Sequence, residues 1–387
     1  MTFNLKDIVR KNIWDLKPYS SARSEFDLYN SGKNKLTLLD ANENPQGQLN
    51  RYPDPLQLEL KKELAYQKKL SIDQIFVGNG SDEAIDLLYR IFCNPGKDKT
   101  LILPPTYGMY EVSAGINDIE VLKAPLNSAF EIDFDAVNNQ ITNNENLKII
   151  WICSPNNPTG NAILKADLKH DWQAQNYTKG GMMDLPFNPA FENEMQQNQV
   201  RLDKLFNNFK GIIVVDEAYQ DFTENISFIN RLQDYPNLVV LQTMSKAQGL
   251  AAARVGFAFA SKEIIELFNK TKPPYNVNEL SQKAALSAIR NVEQAQKSIT
   301  TLNANRKWLS EQLDTFDFIN KVFPSEANFI LARVKNADHV YNYLREQGII
   351  IRNRSSQIEN TLRFTVGTMQ ECEEMVLALN NYQKQVQ

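Results

Sequence analysis

The chain has 387 residues, a formal net charge of −4, 42% hydrophobic residues and 23% charged residues; it is long enough for two domains, and it lacks the basic excess that nucleic acids require. No apolar run approaches the roughly 20 residues that cross a bilayer, and residues 1–19 carry charges throughout, which excludes a signal peptide. Three widely spaced cysteines and two histidines without metal-ligand spacing predict reduced thiols in a cytoplasmic protein without a metal site.

Short apolar runs alternate with helical patterns in the first part of the chain. Residues 75–77 form an apolar run that ends in a glycine-rich turn at 78–82. A helical pattern follows, an order found in phosphate-binding sites because a helix start offers free N–H groups. The predicted elements are, in chain order, a helix at 5–14, a strand at 36–39, a helix at 55–67, a strand at 75–77, a helix at 83–92, and strands at 100–103 and 148–152.

The second part of the chain continues this alternation. Strands predicted at 212–215, 238–241 and 255–260 are apolar on both faces, which is typical of a mainly parallel sheet covered by helices on both sides. A long helix at 279–313 and strands at 329–334, 349–352 and 361–366 then predict a smaller α+β domain. Prolines 273 and 274 mark the border. We therefore expect a large domain at 36–272, with an N-terminal arm at 1–35 and the small domain at 273–387.

One segment does not fit the alternation. Residues 162–200 are rich in Asn, Gln, Met and Lys and show no clear core-facing stripe. A long loop inside a compact domain is uncommon unless it is functional or disordered. The segment is interpreted as a surface excursion, with a flap near the site as the alternative because it begins directly after Gly160.

Two strand ends carry the residues that indicate a cofactor. Lys246 follows the strand at 238–241 and is flanked by a hydroxyl and small residues, whereas a surface lysine would usually lie among polar neighbours. Asp216 ends the strand at 212–215. A lysine that holds an aldehyde and a carboxylate beneath a pyridine nitrogen are what pyridoxal 5'-phosphate (PLP) requires. Taken alone, Asp216 could equally be a turn-capping residue.

Other residues in the required chain order supply the remaining PLP contacts. The predicted phosphate ligands are N–H groups at Gly80, Ser81 and Asp82 and the side chains of Thr243, Ser245 and Arg254. Asn157 and Tyr219 are suited to the ring hydroxyl, and Tyr107 could stack on the ring. Each signal is weak by itself, but together they favour a PLP enzyme.

With these motifs in place, the chain resembles the fold-type I aminotransferases of class I/II, and within them the histidinol-phosphate aminotransferases. The resemblance runs almost end to end. Its segments are 17–23 (KPYSSAR), 40–45 (DANENP), 50–55 (NRYPDP), 78–83 (GNGSDE), 104–110 (PPTYGMY), 153–160 (CSPNNPTG), 216–219 (DEAY), 245–246 (SK), Arg254 and 362–368 (LRFTVGT). The segment at 162–200 departs from the family, which has a short link there.

The resemblance implies a fold and further site residues. The expected fold is α/β, with a mainly parallel seven-stranded sheet flanked by helices plus a smaller α+β domain. Tyr52 is expected to reach the cofactor phosphate of a neighbouring subunit, which makes the active unit a homodimer. Arg363 is expected to bind the substrate's anionic end, assisted by Arg352. Tyr19, Asn157 and Asn328 are expected close to the substrate, whereas Arg354 is interpreted as a solvated strand-end charge.

The reaction implied is transfer of the amino group of L-histidinol phosphate to 2-oxoglutarate, which gives imidazole acetol phosphate and glutamate in histidine biosynthesis. Lys246 would move the protons, Asp216 would keep the cofactor ring protonated, and Tyr219 would assist. An aromatic amino-acid aminotransferase and a threonine-phosphate decarboxylase of the same fold remain alternatives. A non-catalytic PLP-fold binding protein is a more distant one, because the key groups are all present.

Overall fold

A seven-stranded sheet dominates the chain between residues 75 and 259. The computed structural model describes residues 3–19, 37–164 and 189–386. The sheet order is β1-β7-β6-β5-β4-β2-β3, and only β7 runs antiparallel to its neighbours. This confirms the predicted mainly parallel seven-stranded sheet. Its strands are β1 (Ile75–Asn79), β2 (Lys99–Ile102), β3 (Glu120–Lys123), β4 (Leu147–Cys153), β5 (Ile212–Asp216), β6 (Leu238–Thr243) and β7 (Val255–Phe259).

The central strands contribute side chains to two hydrophobic cores, one on each face of the sheet. In β5, Ile213 and Val215 join one hydrophobic cluster, whereas Ile212 and Val214 join the other. Side chains alternate along a strand with a period of two, so a strand covered on both sides must be apolar at every position. This double burial is why the sequence shows continuous apolar runs rather than alternation.

The helices pack mainly around the two sheets. The described helices are α1 (Leu5–Ile8), α2 (Lys11–Trp14), α3 (Leu58–Lys68), α4 (Ser81–Phe92), α5 (Met109–Ile116), α6 (Phe134–Asn143), α7 (Pro189–Asn208), α8 (Lys262–Thr271), α9 (Glu279–Arg290), α10 (Val292–Leu313), α11 (Ala337–Glu346) and α12 (Met369–Val386). Within the described ranges, no helix is both long and apolar enough to span a membrane.

A smaller antiparallel sheet follows, in the order β10-β11-β9-β8. Its strands are β8 (Ile319–Val322), β9 (Phe329–Val334), β10 (Arg352–Asn353) and β11 (Thr361–Thr365). Leu309, Leu344, Phe364 and Leu379 belong to the core that this sheet shares with its helices. All described strands of the large sheet precede residue 260, and those of the small sheet follow residue 318. The division into 36–272 and 1–35 with 273–387 stays a prediction.

Several sequence predictions need correction. Residues 37–39 are not a strand, and Leu39 is 88% exposed, so no core selects extended pairing there. The predicted first helix is two short helices separated at Val9, which is extended. The long helix at 279–313 breaks at Asn291, whose side chain caps the second helix. The strand predicted at 349–352 is limited to Arg352–Asn353.

The unusual segment at 162–200 is only partly described. Residues 165–188 lie outside the described residues, so its interpretation as an excursion or a flap stays a prediction. The structure describes its C-terminal part as the beginning of α7, Pro189–Asn208. Strands β3 and β8 and helices α5, α6, α8, α11 and α12 were not predicted. The side chains of β3 are partly or fully exposed, so its sequence lacks the continuous apolar signal of the buried strands.

Candidate active site

A cavity of about 300 Å³ lies where the carboxyl ends of three neighbouring parallel strands meet. Cys153, Asp216 and Thr243 are the last residues of β4, β5 and β6, and all three line it. Open α/β sheets bind ligands at this edge. The structure brings together these predicted residues around the cavity: Ser81, Asp82, Tyr107, Asn157, Asp216, Tyr219, Thr243, Ser245, Lys246, Arg254, Arg352 and Arg363.

Lys246 is a partly buried amine in this cavity. Its ammonium lies 5.6 Å from the centroid of the Tyr219 ring. Burial lowers the pKa of Lys246, and the nearby Arg363 lowers it further, while Asp216 opposes them. A lowered pKa increases the share of uncharged amine at neutral pH, and the uncharged amine is the form that attacks a carbonyl carbon.

Asp216 is a buried carboxyl, only 3% exposed. The Tyr110 hydroxyl donates to Oδ2 at 2.6 Å, and the Ala218 N–H donates to Oδ1 at 3.1 Å. Burial raises the pKa of Asp216 to about 6, against the lowering by these hydrogen bonds. None of the ion pairs found among the described residues includes Asp216. A protonated pyridine nitrogen would supply the missing cation, so the site fits PLP at this end.

The opposite end of the cavity is suited to a phosphate group. Gly80, in a left-handed conformation with φ +79°, directly precedes α4, and no side chain caps this helix. A Cβ on Gly80 would lie 2.6 Å from Nη2 of Arg254, so a side chain here would displace the guanidinium. The Thr243 and Ser245 hydroxyls lie 3.0 Å apart beside it. Free helix N–H groups, hydroxyls and a guanidinium are the donors that bind a phosphate.

The Asp82 side chain holds two residues beside the predicted phosphate site, which we call the phosphate cup. It accepts hydrogen bonds from the Tyr107 hydroxyl at 3.2 Å and from Nη2 of Arg254 at 3.3 Å. It thereby links the ring predicted to stack on the cofactor to the guanidinium predicted to hold the phosphate.

Asn157 joins the cofactor part of the cavity to its arginine-rich part. Its Nδ2 donates to the Tyr219 hydroxyl at 3.3 Å, and its Oδ1 accepts from Nη1 of Arg363 at 2.6 Å. Burial raises the pKa of Tyr219 well above its ordinary value, so this hydroxyl stays protonated.

The arginine-rich part lies on the β10–β11 ribbon. Arg352 pairs directly with Arg363 in the antiparallel register. Burial lowers the pKa of Arg363, and Arg352 lowers it further. Arg354 also lines the cavity and is partly buried, so its interpretation as a solvated strand-end charge was wrong. The reason is that Arg354 directly follows β10, two positions after Arg352, and both side chains line the cavity.

Four predicted residues do not line this cavity within one chain. Gly80 borders it, as described above. Tyr19 is 73% exposed, and Asn328 contributes a carbonyl that accepts from Val366. Tyr52 is 51% exposed, stacks on Tyr275 with ring centroids 4.4 Å apart, and lines a separate groove. Arg23, part of the N-terminal motif, lies outside the described residues.

Several residues of the site were not predicted from the sequence as contributors. Tyr110, the second residue of α5, bonds Asp216, and its ring contacts that of Tyr107 edge to face with the centroids 5.5 Å apart. Gly256 lets β7 approach the start of α4, because a Cβ there would lie 2.2 Å from the Ser81 nitrogen. Cys153 and Ala218 line the cavity, and no sequence signal identified them. Within the described ranges, no cluster of three or more His, Cys, Asp or Glu could hold a metal.

The comparisons with known proteins agree with this geometry. The family "Aminotransferase class I and II" matches residues 29–176 and 198–379. A histidinol-phosphate aminotransferase of Cytophaga hutchinsonii is 46% identical, covering 99% of this chain and 100% of that protein. The crystal structure of the histidinol-phosphate aminotransferase from Clostridium acetobutylicum superimposes with a TM-score of 0.72 at 25% identity, covering 87% of this chain and 92% of that one.

A third comparison concerns the cofactor. The structure of the histidinol-phosphate aminotransferase from Sinorhizobium meliloti, in complex with pyridoxal-5'-phosphate, shares the fold with a TM-score of 0.70 at 18% identity. It covers 87% of this chain and 84% of that one. The cavity described above offers a lysine, a buried carboxylate and a phosphate cup for the same cofactor. The chain therefore belongs to the PLP-dependent class I and II aminotransferases, and within them to the histidinol-phosphate aminotransferases.

Proposed function

We propose that the chain transfers the amino group of L-histidinol phosphate to 2-oxoglutarate, giving imidazole acetol phosphate and glutamate. The observation that carries this proposal is one cavity that joins Lys246 and Asp216 to three arginines, Arg352, Arg354 and Arg363, none of which has an ion pair within the described ranges. The near full-length similarity to histidinol-phosphate aminotransferases supports the same substrate.

Each end of the cavity would hold a different part of PLP. Lys246 would bind its aldehyde carbon, and Asp216 would pair with its ring nitrogen. Asn157 and Tyr219 would hydrogen-bond the ring hydroxyl, and Tyr107 would stack on the ring. The phosphate would lie among Ser81, Thr243, Ser245 and Arg254. When bound, PLP supplies an electron sink that stabilises negative charge at the carbon that loses its proton.

Lys246 is the group that moves protons. With the cofactor bound, the free amine of Lys246 would remove the proton from the amine-bearing carbon of the substrate. Burial and Arg363 lower the pKa of Lys246, which favours the uncharged form needed for this step. The Tyr219 ring lies beside the amine, with its centroid 5.6 Å from Nζ. Lys246→Ala is expected to lower turnover by several orders of magnitude.

Arg363 and Arg352 are proposed to bind the anionic end of each substrate. Histidinol phosphate carries a phosphate and no carboxylate, whereas glutamate carries two carboxylates. A guanidinium fork can hold either anion with paired hydrogen bonds, so the same two residues can serve both half-reactions.

We also propose that the active unit is a homodimer in which Tyr52 completes the neighbouring site. In the single chain Tyr52 lies outside the cavity and lines a groove with Leu49 and Leu280, whose side chains are exposed. Mixing Lys246→Ala with Tyr52→Ala chains tests this directly. A mixed dimer would have one intact site and recover activity that neither parent has. Absence of recovery in verified mixed dimers would exclude the shared site. A cytoplasmic location stays the prediction made from the sequence.

Turnover of purified enzyme with three amino donors tests the reaction. We expect activity with L-histidinol phosphate and 2-oxoglutarate to exceed that with phenylalanine or threonine phosphate, and Lys246→Ala serves as the control. Release of CO₂ from threonine phosphate without turnover of histidinol phosphate would overturn the proposal in favour of the decarboxylase. Borohydride should fix the cofactor to Lys246 and bleach the yellow protein.

A further inference from the structure

Arg354 has a firmly held backbone on the turn between β10 and β11. Its N–H donates to the Thr361 carbonyl, and its own carbonyl accepts from the N–H groups of Gln357 and Ile358, each at 2.9 Å. A residue held by three backbone hydrogen bonds presents its side chain from a fixed origin. The backbone from which the Arg354 side chain enters the cavity is therefore held by hydrogen bonds within the turn.

The three arginines of the ribbon lie on one face of it. Arg352 and Arg363 are direct cross-strand partners, and Arg354 is the first residue after β10, two positions beyond Arg352. Side chains two apart on a strand share a face, as do those of directly paired residues. All three line the same cavity as Lys246.

This group of arginines carries positive charge that lacks a protein counter-charge. None of the ion pairs among the described residues includes Arg352, Arg354 or Arg363. The Nε atoms of Arg354 and Arg363 are buried and lack a hydrogen-bond partner in the described part of the chain. Burial, together with the nearby charges of Arg363 and Arg352, lowers the pKa of Arg354 to about 10. Such a group is stabilised by an anion.

We propose that Arg354 is a third ligand of the substrate's phosphate group and makes the site prefer a phosphate monoester to a carboxylate. This inference rests on the proposed function and adds a specificity-determining residue to it. A phosphate monoester carries about −1.5 to −2 charges and three acceptor oxygens at neutral pH. A carboxylate carries one charge and two oxygens. Three guanidinium groups can therefore all be used by the phosphate, whereas a carboxylate already satisfied by two gains less from the third.

The test compares Arg354→Gln with Arg345→Gln, a matched control that removes the same charge from the exposed face of α11. In the cofactor-saturated enzyme, we expect Arg354→Gln to lower kcat/KM for L-histidinol phosphate roughly 10- to 100-fold, mainly through KM, as for loss of a charge-assisted hydrogen bond. The half-reaction with glutamate should change less than about threefold. Arg345→Gln should change neither.

A binding measurement gives a second readout. When the enzyme is saturated with cofactor, inorganic phosphate should inhibit the glutamate half-reaction. Arg354→Gln should raise the inhibition constant of phosphate about tenfold. Arg354→Lys keeps a charge but loses the planar fork, so its effects should lie between those of wild type and Arg354→Gln. If Arg354→Gln does not fold, Arg354→Lys carries the comparison.

The outcomes separate this inference from the proposed function. Equal losses with histidinol phosphate and glutamate, or unchanged phosphate inhibition, would overturn the role of Arg354 while the aminotransferase activity stands. A wild-type enzyme inactive on histidinol phosphate would overturn the proposed substrate. In that case the phosphate inhibition constants of wild type and Arg354→Gln would still decide whether Arg354 binds phosphate.

Discussion

The buried carboxyl of Asp216 makes the stability of the cofactor-free protein depend on pH in a predictable way. Burial raises its pKa from 3.8 to about 6. The folded protein therefore binds this proton more tightly than the unfolded chain, and folding loses stability as pH rises through the window between about 4 and about 6. Asp216→Asn removes the titration while keeping the shape of the side chain.

The magnitude follows from the two pKa values. The ionised carboxyl should destabilise the cofactor-free protein by about 1–2 kcal/mol near pH 5 and by about 3 kcal/mol near pH 8. The stability of Asp216→Asn relative to wild type should therefore increase by about 1–2 kcal/mol between these two pH values. This difference does not depend on how well the asparagine itself packs, because the asparagine does not titrate.

Urea unfolding of both cofactor-free proteins, at about pH 5 and about pH 8, measures the change. Asp314→Asn is the control, since it removes the same charge from an exposed position. A difference between Asp216→Asn and wild type that stays constant with pH, or that shrinks toward high pH, would refute the reasoning. With the cofactor bound, a ring cation would favour the ionised carboxylate, so the advantage of the asparagine should disappear.

Three further changes test other parts of the structure. Tyr110→Phe removes a hydrogen bond that lowers the pKa of Asp216, so the window in which the cofactor-free protein loses stability should move to higher pH; an unmoved urea profile would contradict this. Gly256→Ala places a Cβ 2.2 Å from the Ser81 nitrogen, so cofactor affinity in an absorbance titration and the melting temperature should both fall, and wild-type values would exclude the tight approach. Leu362→Ala opens a cavity in the fully buried core of the small sheet and should cost about 2–5 kcal/mol in urea unfolding; a cost well below this would indicate that the core collapses to fill it.

The sequence predicted the large sheet well because its central strands are buried on both faces. β5 and β6 are apolar at almost every position, and that pattern needs no knowledge of their neighbours. β3 escaped because it is an exposed edge strand, Glu120–Lys123, with charges at both ends. The break at Asn291 was also not predicted, because the helical pattern of the sequence continues through it. The Asn291 side chain caps the second helix only in the folded chain, where the first helix has ended.

The residues of the candidate site also divide into those that local sequence reveals and those that it does not. Lys246 and Asp216 were identified because each follows a buried strand, and parallel strands end at one edge of the sheet. Arg354 was misjudged because its surroundings depend on how the β10–β11 ribbon faces the large sheet, which local sequence does not encode. Tyr110 was seen as part of a motif, but its bond to Asp216 joins residues 106 positions apart.

The amide of Asn157 binds two neighbours at once, since its nitrogen donates to the Tyr219 hydroxyl and its oxygen accepts from Arg363. An anion bound by Arg363 would therefore share a guanidinium with that oxygen. A single side chain, with one contact at each end, thus links the anion-binding part of the cavity to the hydroxyl beside Lys246.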